Sequence, residues 1–433
     1  MTILCVAVVA AAAPAAYAAD RLAIKGGTLL RASGEKVENA VLVIDGGIIR
    51  KVGGADVEIP FDATVIDATG KTLFAGVVLA NSSMSLDRPN ENLPVVPFVS
   101  VYDSLAPDSP GFEDALRTGM TTVHVIQGSN CVIAGMSRIV RPYGAMVEYM
   151  TVIPEAGIKI SITPKSGYNS MTQMAELRNA FFELDQHVQQ TAERLYEEEQ
   201  TRLEKKLLIP PDEAAKEGMK KLTVEDLDSK WRTLYRVKNG ELPVFLHCES
   251  ASDVLRGIDW VNGMNLMSRT VFVLGTEGFK AIDALKATGR PVVLSGNLVH
   301  REIDYFTNKE TLAFVPKKFA EAGIPFALQT FGGTMGEGVI WYQAARLVRE
   351  GISREIALKS ITQWPADVIG LSHLVGSLDE GKFGNVLLLT GDPLDQKTVV
   401  ETVVIEGKVV YERSKDRRLQ ELLKGEKLPP AGN

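Results

Sequence analysis

The residues of this sequence that could do chemistry follow short apolar segments. Asn81 and Ser83 come just after the apolar run 73–80, while His247 and Glu249 lie near the end of "VFLHCES". An imidazole can act as a general base, and amide or hydroxyl groups can donate hydrogen bonds to a developing oxyanion. Each of these four side chains is therefore a candidate for a polar ligand-binding site, with His247 as the one candidate for a catalytic role.

A second group of pocket candidates follows the apolar run 325–330. Gln329 lies near the end of that run, and Phe331, Gly332 and Gly333 open a glycine-rich loop. The N–H groups of such a loop can bind phosphate when a helix begins next to it. The alternative that we favour is a tight turn that makes room for the Phe331 side chain.

His247 also has a purely structural interpretation. It could be a strand-end histidine with a single hydrogen bond, because no partner that would orient a catalytic base is evident in the sequence. Cys248 follows it directly, so on a strand the two side chains point to opposite faces and do not form a dyad. Whether Cys131 and Cys248 form a disulfide stays open.

The elements that must position these residues alternate between strands and helices. The strand candidates are 73–80, 121–126, 158–162, 244–248, 270–275, 291–295 and 325–330. Helical patterns follow several of them, and repeated strand–helix units predict a parallel sheet, either a barrel or an open sheet. An eighth strand could lie in "CVIAGMSRIV", which could equally be an inserted hairpin.

Both ends of the chain have a different pattern from the middle. Short strands with glycine turns fill residues 22–67 and the stretch after residue 382, which predicts one small β-domain built from both termini. We therefore divide the chain into 19–72 and 376–433 for this domain, with 73–375 between them. A charged helical insertion at about 185–242 is predicted to pack on the exterior of the middle part or at a partner surface.

Four segments resemble the amidohydrolase superfamily, in particular its imidazolonepropionase-like branch. They occur in the order "GKTLFAGVVLANSS", "VIQGSNCVIAGMSRIVRP", "LPVFLHCESASDVLRGI" and "SREIALKSITQWPADVIGLSHLVGSLDEGKFGNVLLLTGDPLD". The resemblance spans roughly residues 22 to 413. It implies an α/β fold, a (β/α)8 TIM-like barrel with a small β-sandwich domain made from both chain ends.

The same resemblance implies a metal site, and this chain departs from it. The family holds one or two divalent ions through histidines of strands 1, 5 and 6 and an aspartate after strand 8. Of these positions only the strand-5 histidine is kept, as His247, with Glu249 where the branch usually has a second histidine. The remaining ligand positions hold Asn81, Ser83, Leu274 and Phe331. Leucine and phenylalanine cannot ligate, so we expect neither a metal ion nor another cofactor.

Three hypotheses about function follow. The first is a non-catalytic protein that binds a small molecule in the barrel mouth, or that acts as a subunit beside an active amidohydrolase paralogue or in a homo-oligomer. The second is a hydrolase of C–N or C–O bonds that works without the metal, through His247 with Asn81, Ser83 or Glu249. The third is a purely structural or assembly role through the 185–242 insertion.

Composition and the N-terminus limit partners and location. The net charge of −7 and a pI near 5.5 provide no basic surface for nucleic acid. The first residues, "MTILCVAVVAAAAPAAYAAD", resemble a secretory signal peptide cleaved after residue 18, so we expect export to the periplasm or the extracellular space. No later stretch is apolar enough to predict a transmembrane segment.

Overall fold

The structure is a computed structural model that describes residues 21–204, 209–330 and 340–424. The predicted signal peptide at 1–18 and the pocket candidates Phe331, Gly332 and Gly333 lie outside these residues. The described part is a mixed α/β fold. Its strands are β1 (Leu22–Leu30), β2 (Lys36–Asp45), β3 (Ile48–Gly53), β4 (Thr64–Asp67), β5 (Thr72–Ala75), β6 (Val77–Ser82), β7 (Met120–Val125), β8 (Ile133–Met136), β9 (Arg138–Val140), β10 (Thr151–Ile153), β11 (Ile158–Ser161), β12 (Val244–Cys248), β13 (Thr270–Leu274), β14 (Val292–Val293), β15 (Val299–Ile303), β16 (Glu310–Phe314), β17 (Phe326–Ala327), β18 (Val386–Leu389), β19 (Val400–Ile405) and β20 (Lys408–Glu412).

Helices separate most of the strands in the middle of the chain. They are α1 (Pro110–Arg117), α2 (Val147–Met150), α3 (Ser170–Arg202), α4 (Pro211–Met219), α5 (Ser229–Lys238), α6 (Ala251–Gly263), α7 (Ile282–Thr288), α8 (Val315–Ala322), α9 (Ile340–Arg349), α10 (Arg354–Lys359), α11 (Gln363–Val368) and α12 (Arg417–Lys424). Within the described ranges, no helix combines the length and the apolar character that crossing a membrane requires.

The first and last strands share one sheet. Strands β1 to β5 and β18 to β20 form an eight-stranded sheet in the order β20-β19-β18-β5-β1-β2-β3, with β4 paired to β1. Apolar side chains from both ends of the sequence pack on it, among them Ile24, Leu73 and Val386. The β2–β3 turn uses Gly46 and Gly47 at φ of 60° and 82°, a left-handed geometry that glycine adopts without strain.

The predicted strand 73–80 is two strands that belong to different sheets. β5 pairs with β18 of the terminal sheet, whereas β6 pairs with β7 of the middle part, and Gly76 lies between them. A Cβ atom at Gly76 would lie 2.1 Å from the Thr121 hydroxyl, so only glycine fits where the chain passes between the sheets.

The middle part contains two larger sheets of parallel and antiparallel strands, here called the two middle sheets, and a separate antiparallel pair of β15 and β16. β11, β12, β13, β14 and β17 run parallel in that order, and β8 adds to β11 in the antiparallel direction. The other sheet has the order β10-β9-β7-β6, with β9 antiparallel to β7. The segment "CVIAGMSRIV", which could hold an eighth strand, forms β8 and β9 with only Ser137 between them. β8 pairs with β11 of one sheet, and β9 pairs with β7 of the other. Among the described residues the hydrogen-bond ladders stay separate and do not close into one ring.

One apolar cluster draws on strands of both middle sheets. Ala80 and Ile126 come from the β6–β7 side, and Phe245, Val271 and Val293 come from the other sheet. Contact between these side chains means that the two sheets share an interior. That interior lies beneath the ends of the strands that carry the candidate site.

The boundary expected near residue 185 falls inside one continuous helix. Asn169 caps α3 through its side chain, and Leu177, Phe181 and Leu184 of α3 are buried in the main core. Trp231 of α5 belongs to the same core. The helical segment is therefore integrated with the core and is not a detachable addition.

Asp416 ties the terminal sheet to α1. Its carboxylate accepts hydrogen bonds from Arg117 Nε at 2.6 Å and from the Tyr411 hydroxyl at 3.1 Å. Burial would raise the pKa of Asp416, but the hydrogen bonds from Arg117 and the Leu419 N–H hold it below the ordinary value.

We expect Asp416→Ala to lower the free energy of unfolding by about 3 kcal/mol, because Arg117 and Tyr411 lose a buried partner. Urea unfolding beside the exposed control Asp259→Ala measures this, and equal midpoints would contradict it.

Candidate ligand-binding site

A cavity of about 540 Å³ opens where the strands of the middle sheets end. Its walls come from residues at or just after the carboxyl ends of β6, β7, β12, β13, β14 and β17, the edge at which α/β folds place ligands. The lining residues at these ends include Asn81, Ser83, Gln127, Gly128, His247, Glu249, Leu274, Ser295, Asn297 and Gln329.

The structure brings five of the predicted site residues to this cavity. They are Asn81, Ser83, His247, Glu249 and Gln329. Asn81 Nδ2 donates to Gln329 Oε1 at 2.5 Å, which joins the ends of β6 and β17 across 248 positions of sequence. Asn81 Oδ1 is buried and has no hydrogen-bond partner among the residues that the structure describes. That carbonyl oxygen is thus available to a donor on a ligand.

His247 has the orienting partner that the sequence did not reveal. Its Nδ1 lies 3.2 Å from Ser161 Oγ, on the strand next to it, and its Nε2 lies 3.5 Å from Glu249 Oε2. Ser161 Oγ also donates to the Thr163 carbonyl at 2.8 Å. Because that hydroxyl has a single hydrogen, Nδ1 must carry the hydrogen of the His247–Ser161 bond.

Glu249 is the acidic member of this array. The hydrogen bond with His247 lowers the pKa of Glu249 and outweighs the effect of partial burial, which raises it. Gly275 on the neighbouring strand end is close to it, since a Cβ atom there would lie 2.3 Å from the Glu249 carboxyl carbon. A larger residue at position 275 would therefore displace the Glu249 carboxylate from its place beside His247.

Sequence reasoning missed Lys159. Its side chain is on β11, is 2% exposed and lines the cavity, with Nζ 2.5 Å from the Gln127 carbonyl oxygen. Burial lowers the pKa of Lys159 to about 8. The signal was the alternation in "IKISI", which places Lys159 and Ser161 on one strand face and the isoleucines on the other.

His124 and Cys248 lie outside the cavity wall. His124 is fully buried, and its nitrogens lie 2.8 Å from the Ala80 carbonyl and 2.7 Å from Ser137 Oγ. Burial lowers its pKa to about 4, so the ring stays neutral. Cys248 is buried with its thiol near Gly257, and burial raises its pKa well above the ordinary value. Cys131 and Cys248 are both free, which answers the question of a disulfide between them.

The donors around the cavity do not fit a divalent metal ion. In residues 21–204, 209–330 and 340–424, no three histidine, cysteine, aspartate or glutamate side chains converge as a metal-binding group. His247 and Glu249 are the cavity's imidazole and carboxylate, whereas Leu274 supplies no donor atom. The buried amine of Lys159 adds a group that repels a cation when it is protonated. Such a set falls short of the four ligands of a protein zinc site.

Comparison with known proteins relates the chain to amidohydrolases. No protein-family model matches it. It is 22% identical over 399 residues to "Amidohydrolase tasK" of Hapsidospora irregularis, which covers 86% of this chain and 40% of that protein. The chain thus spans well under half the length of this curated relative.

Solved structures show the same relationship. The crystal structure of an amidohydrolase from Thermotoga maritima MSB8 superposes with a TM-score of 0.74 at 25% identity, covering 90% of this chain and 100% of that one. A molinate hydrolase shares the fold at a TM-score of 0.52 and 16% identity, covering 96% of this chain and 99% of that one. In sequence and in fold, the chain is a homologue of the amidohydrolases.

Proposed function

We propose that this protein is an amidohydrolase-fold protein that binds a small polar ligand without metal chemistry, a non-catalytic relative of the hydrolases. The observation that carries the proposal is the makeup of the cavity wall. Asn81, Ser83 and Leu274 stand where the family resemblance places metal ligands, and they lie at the ends of β6 and β13 as ligands would. The side chains at these strand ends still face the cavity, but they no longer carry the donor atoms that bind a metal ion in the family.

Unpartnered polar atoms support a ligand at this place. Within residues 21–204, 209–330 and 340–424, Asn81 Oδ1 and Ser85 Oγ are buried and find no hydrogen-bond partner, and both residues line the cavity. Ser85 also has a φ of 60°, a left-handed conformation that is uncommon for serine. Buried polar groups in native proteins are nearly always paired, so a bound polar molecule is their natural partner.

We also propose that the two middle sheets are parts of one (β/α)8-type barrel. The apolar cluster that joins Ala80 of β6 to Phe245 of β12 supports this. The gap between β17 and β6 is spanned through residues 360 and 361: Leu328 N–H donates to the Ser360 carbonyl and Val78 N–H to the Ile361 carbonyl. A barrel would gather all the strand ends around the cavity.

Metal ions are expected to leave the stability of the protein unchanged. A metal that binds the native state at 100 times its Kd adds about 2.7 kcal/mol, enough to move Tm by several degrees. Because the cavity lacks a ligand set, addition of Zn²⁺, Mn²⁺ or Ni²⁺, or treatment with EDTA, should shift Tm by less than about 1 °C. Differential scanning calorimetry of the purified protein measures this. A saturable rise of several degrees with one metal would contradict the proposal.

Metal-independent hydrolysis is the second candidate function. The observation in its favour is the array in which Ser161 orients His247 and Nε2 lies next to Glu249. The His247–Glu249 pair could take a proton from an attacking water, with Asn81 and Ser83 near a developing oxyanion. Hydrolysis of an amide and ester panel that survives in His247→Ala would remove this candidate. A loss of at least about 100-fold would support it.

Association with an active paralogue or with a second copy belongs to the same proposal. Tyr305 and Phe306, between β15 and β16, are 90% and 92% exposed, and exposed aromatic residues are typical of interfaces. A Tyr305→Ser, Phe306→Ser double variant should lower the mass measured by light scattering if they mediate assembly. Deletion of 185–242 is a poorer test of assembly, because it removes Trp231 from the core.

Export through residues 1–18 remains part of this proposal, and its test is N-terminal sequencing of protein from the native source.

A further inference from the structure

Lys159 is a buried amine that the proposed ligand-binding role does not yet use. It is on the face of β11 that carries Ser161, and its side chain reaches the cavity although the residue is almost fully buried. Within the described part of the chain, no carboxylate lies within 4.0 Å of its Nζ, unlike the surface lysines that form ion pairs. A buried cation without an anionic partner is unfavourable, so the native structure holds a larger fraction of neutral amine at Lys159 than at an exposed lysine.

The groups around Lys159 do not restore a stable charge. The titratable neighbours that act on it are His124 and Cys131, which burial keeps neutral with pKa values of about 4 and about 11. The Gln127 carbonyl accepts one N–H. A neutral amine in this position keeps a lone pair that is free to attack a carbonyl carbon.

We propose that Lys159 forms a reversible imine with an aldehyde or ketone ligand in the cavity. This inference rests on the proposed function, since it names the chemical class of the ligand that the cavity receives. It follows from the position of an amine with no carboxylate partner among the described residues, at the wall of a polar cavity, together with hydrogen-bonding groups that can hold a carbonyl oxygen.

The reaction balances with groups of this chain and water. The Nζ lone pair attacks the carbonyl carbon, a C–N bond forms, and one proton moves from Nζ to the carbonyl oxygen to give a neutral carbinolamine. The hydroxyl group then takes up a proton and leaves as water when the C–O bond breaks, while Nζ gives up its last proton and the C=N bond forms, so that two protons pass from Nζ to the leaving oxygen with no net oxidation. His247 lines the same cavity, and the β11–β12 register places its partner Ser161 two residues along from Lys159. The imidazole of His247 is thus a cavity group that could carry these protons.

The test is reductive trapping with propionaldehyde as the probe. The full chain is incubated at pH 7 with the aldehyde and cyanoborohydride, and the propyl group on each lysine is quantified by peptide mass spectrometry. A fall from the ordinary pKa of 10.5 to about 8 leaves about 300 times more neutral amine at pH 7. We expect Lys159 to be labelled at least about 10-fold faster than the exposed Lys317, and its rate to level off above pH 8. Lys159→Arg should lose this labelling and keep that of Lys317.

Labelling of Lys159 no faster than that of Lys317 would overturn the imine inference. That result would not touch the proposal of a metal-free binding cavity, which depends on the metal content of the protein. Conversely, rapid labelling of Lys159 in a protein that also contains about one metal ion per chain would overturn the metal-free proposal and support the imine inference. The two proposals therefore fail in separate measurements.

Discussion

Replacement of Lys159 by methionine is expected to raise the free energy of unfolding at pH 7 by about 2 kcal/mol in the absence of ligand. Burial lowers the pKa of Lys159 from 10.5 to about 8, a difference equivalent to about 3 kcal/mol against the charged form. Loss of the hydrogen bond to the Gln127 carbonyl lowers the stability of the variant by about 1 kcal/mol, which leaves a net increase of about 2 kcal/mol. Methionine has nearly the length of lysine and fills the same space without a charge. Urea unfolding of the two proteins measures the difference.

The pH dependence gives the control for this prediction. Between about pH 8 and pH 10.5 the unfolded chain still holds a proton that native Lys159 has released, so the stability of the wild type rises with pH. Lys159→Met should lack this rise, whereas Lys317→Met on the surface should keep it and change stability by less than about 0.5 kcal/mol. A destabilised Lys159→Met variant would mean that the amine serves the fold and not the cavity.

If a substitution at a cavity residue stabilises the protein, the original residue is expected to have a functional role. Proteins retain destabilising groups at sites where binding or chemistry requires them, and the same position elsewhere would be filled by an apolar residue. Lys159 is flanked by Ile158 and Ile160, which fill the other side of β11 with apolar packing. Retention of the amine is therefore best explained by what it does in the cavity.

Replacement of Phe245 by alanine is also expected to change the free energy of unfolding strongly. Phe245 is 1% exposed in the shared interior of the two middle sheets, and its ring centroid lies 4.4 Å from that of His124. Loss of a buried phenylalanine leaves a cavity as well as removing apolar contact, which costs about 4 kcal/mol. We expect Phe245→Ala to lower the free energy of unfolding by this amount. Far-UV circular dichroism during urea unfolding measures it.

The matched control is Phe61→Ala. Phe61 is fully exposed, so the same substitution there should change the stability by less than about 0.5 kcal/mol. If Phe245→Ala costs no more than that control, the cluster under the cavity is not packed as described. The proposal of one barrel interior would then lose its main support.

Local pattern predicted where the middle strands lie, to within a few residues, and left the contacts between them unknown. The family resemblance predicts that Asn81, His247 and Gln329 lie in one pocket, and they line the same cavity. Their partners were not predictable: Ser161 lies 86 residues before His247, and only the register of β11 against β12 brings them together. A hydrogen bond of this kind depends on tertiary pairing, which period-two alternation does not encode.

The splitting of the strand 73–80 shows a different limit. The apolar run continues without a break, so its pattern predicts one strand, and the sheet change at Gly76 depends on the close approach of Thr121. The glycine was visible in the sequence, but the residue that makes it necessary is distant in the chain. Lys159 is the opposite case, since alternation within five residues was sufficient to place it on the inward face.

The metal content of the purified protein tests the central claim most directly. The full chain is produced in medium supplemented with zinc, manganese, iron and nickel, and metals are counted by inductively coupled plasma mass spectrometry, with His247→Ala as the control. The account predicts less than about 0.1 metal ion per chain in both proteins, because His247 and Glu249 do not make a ligand set. About one metal ion per chain in the wild type, lost in His247→Ala, would contradict it.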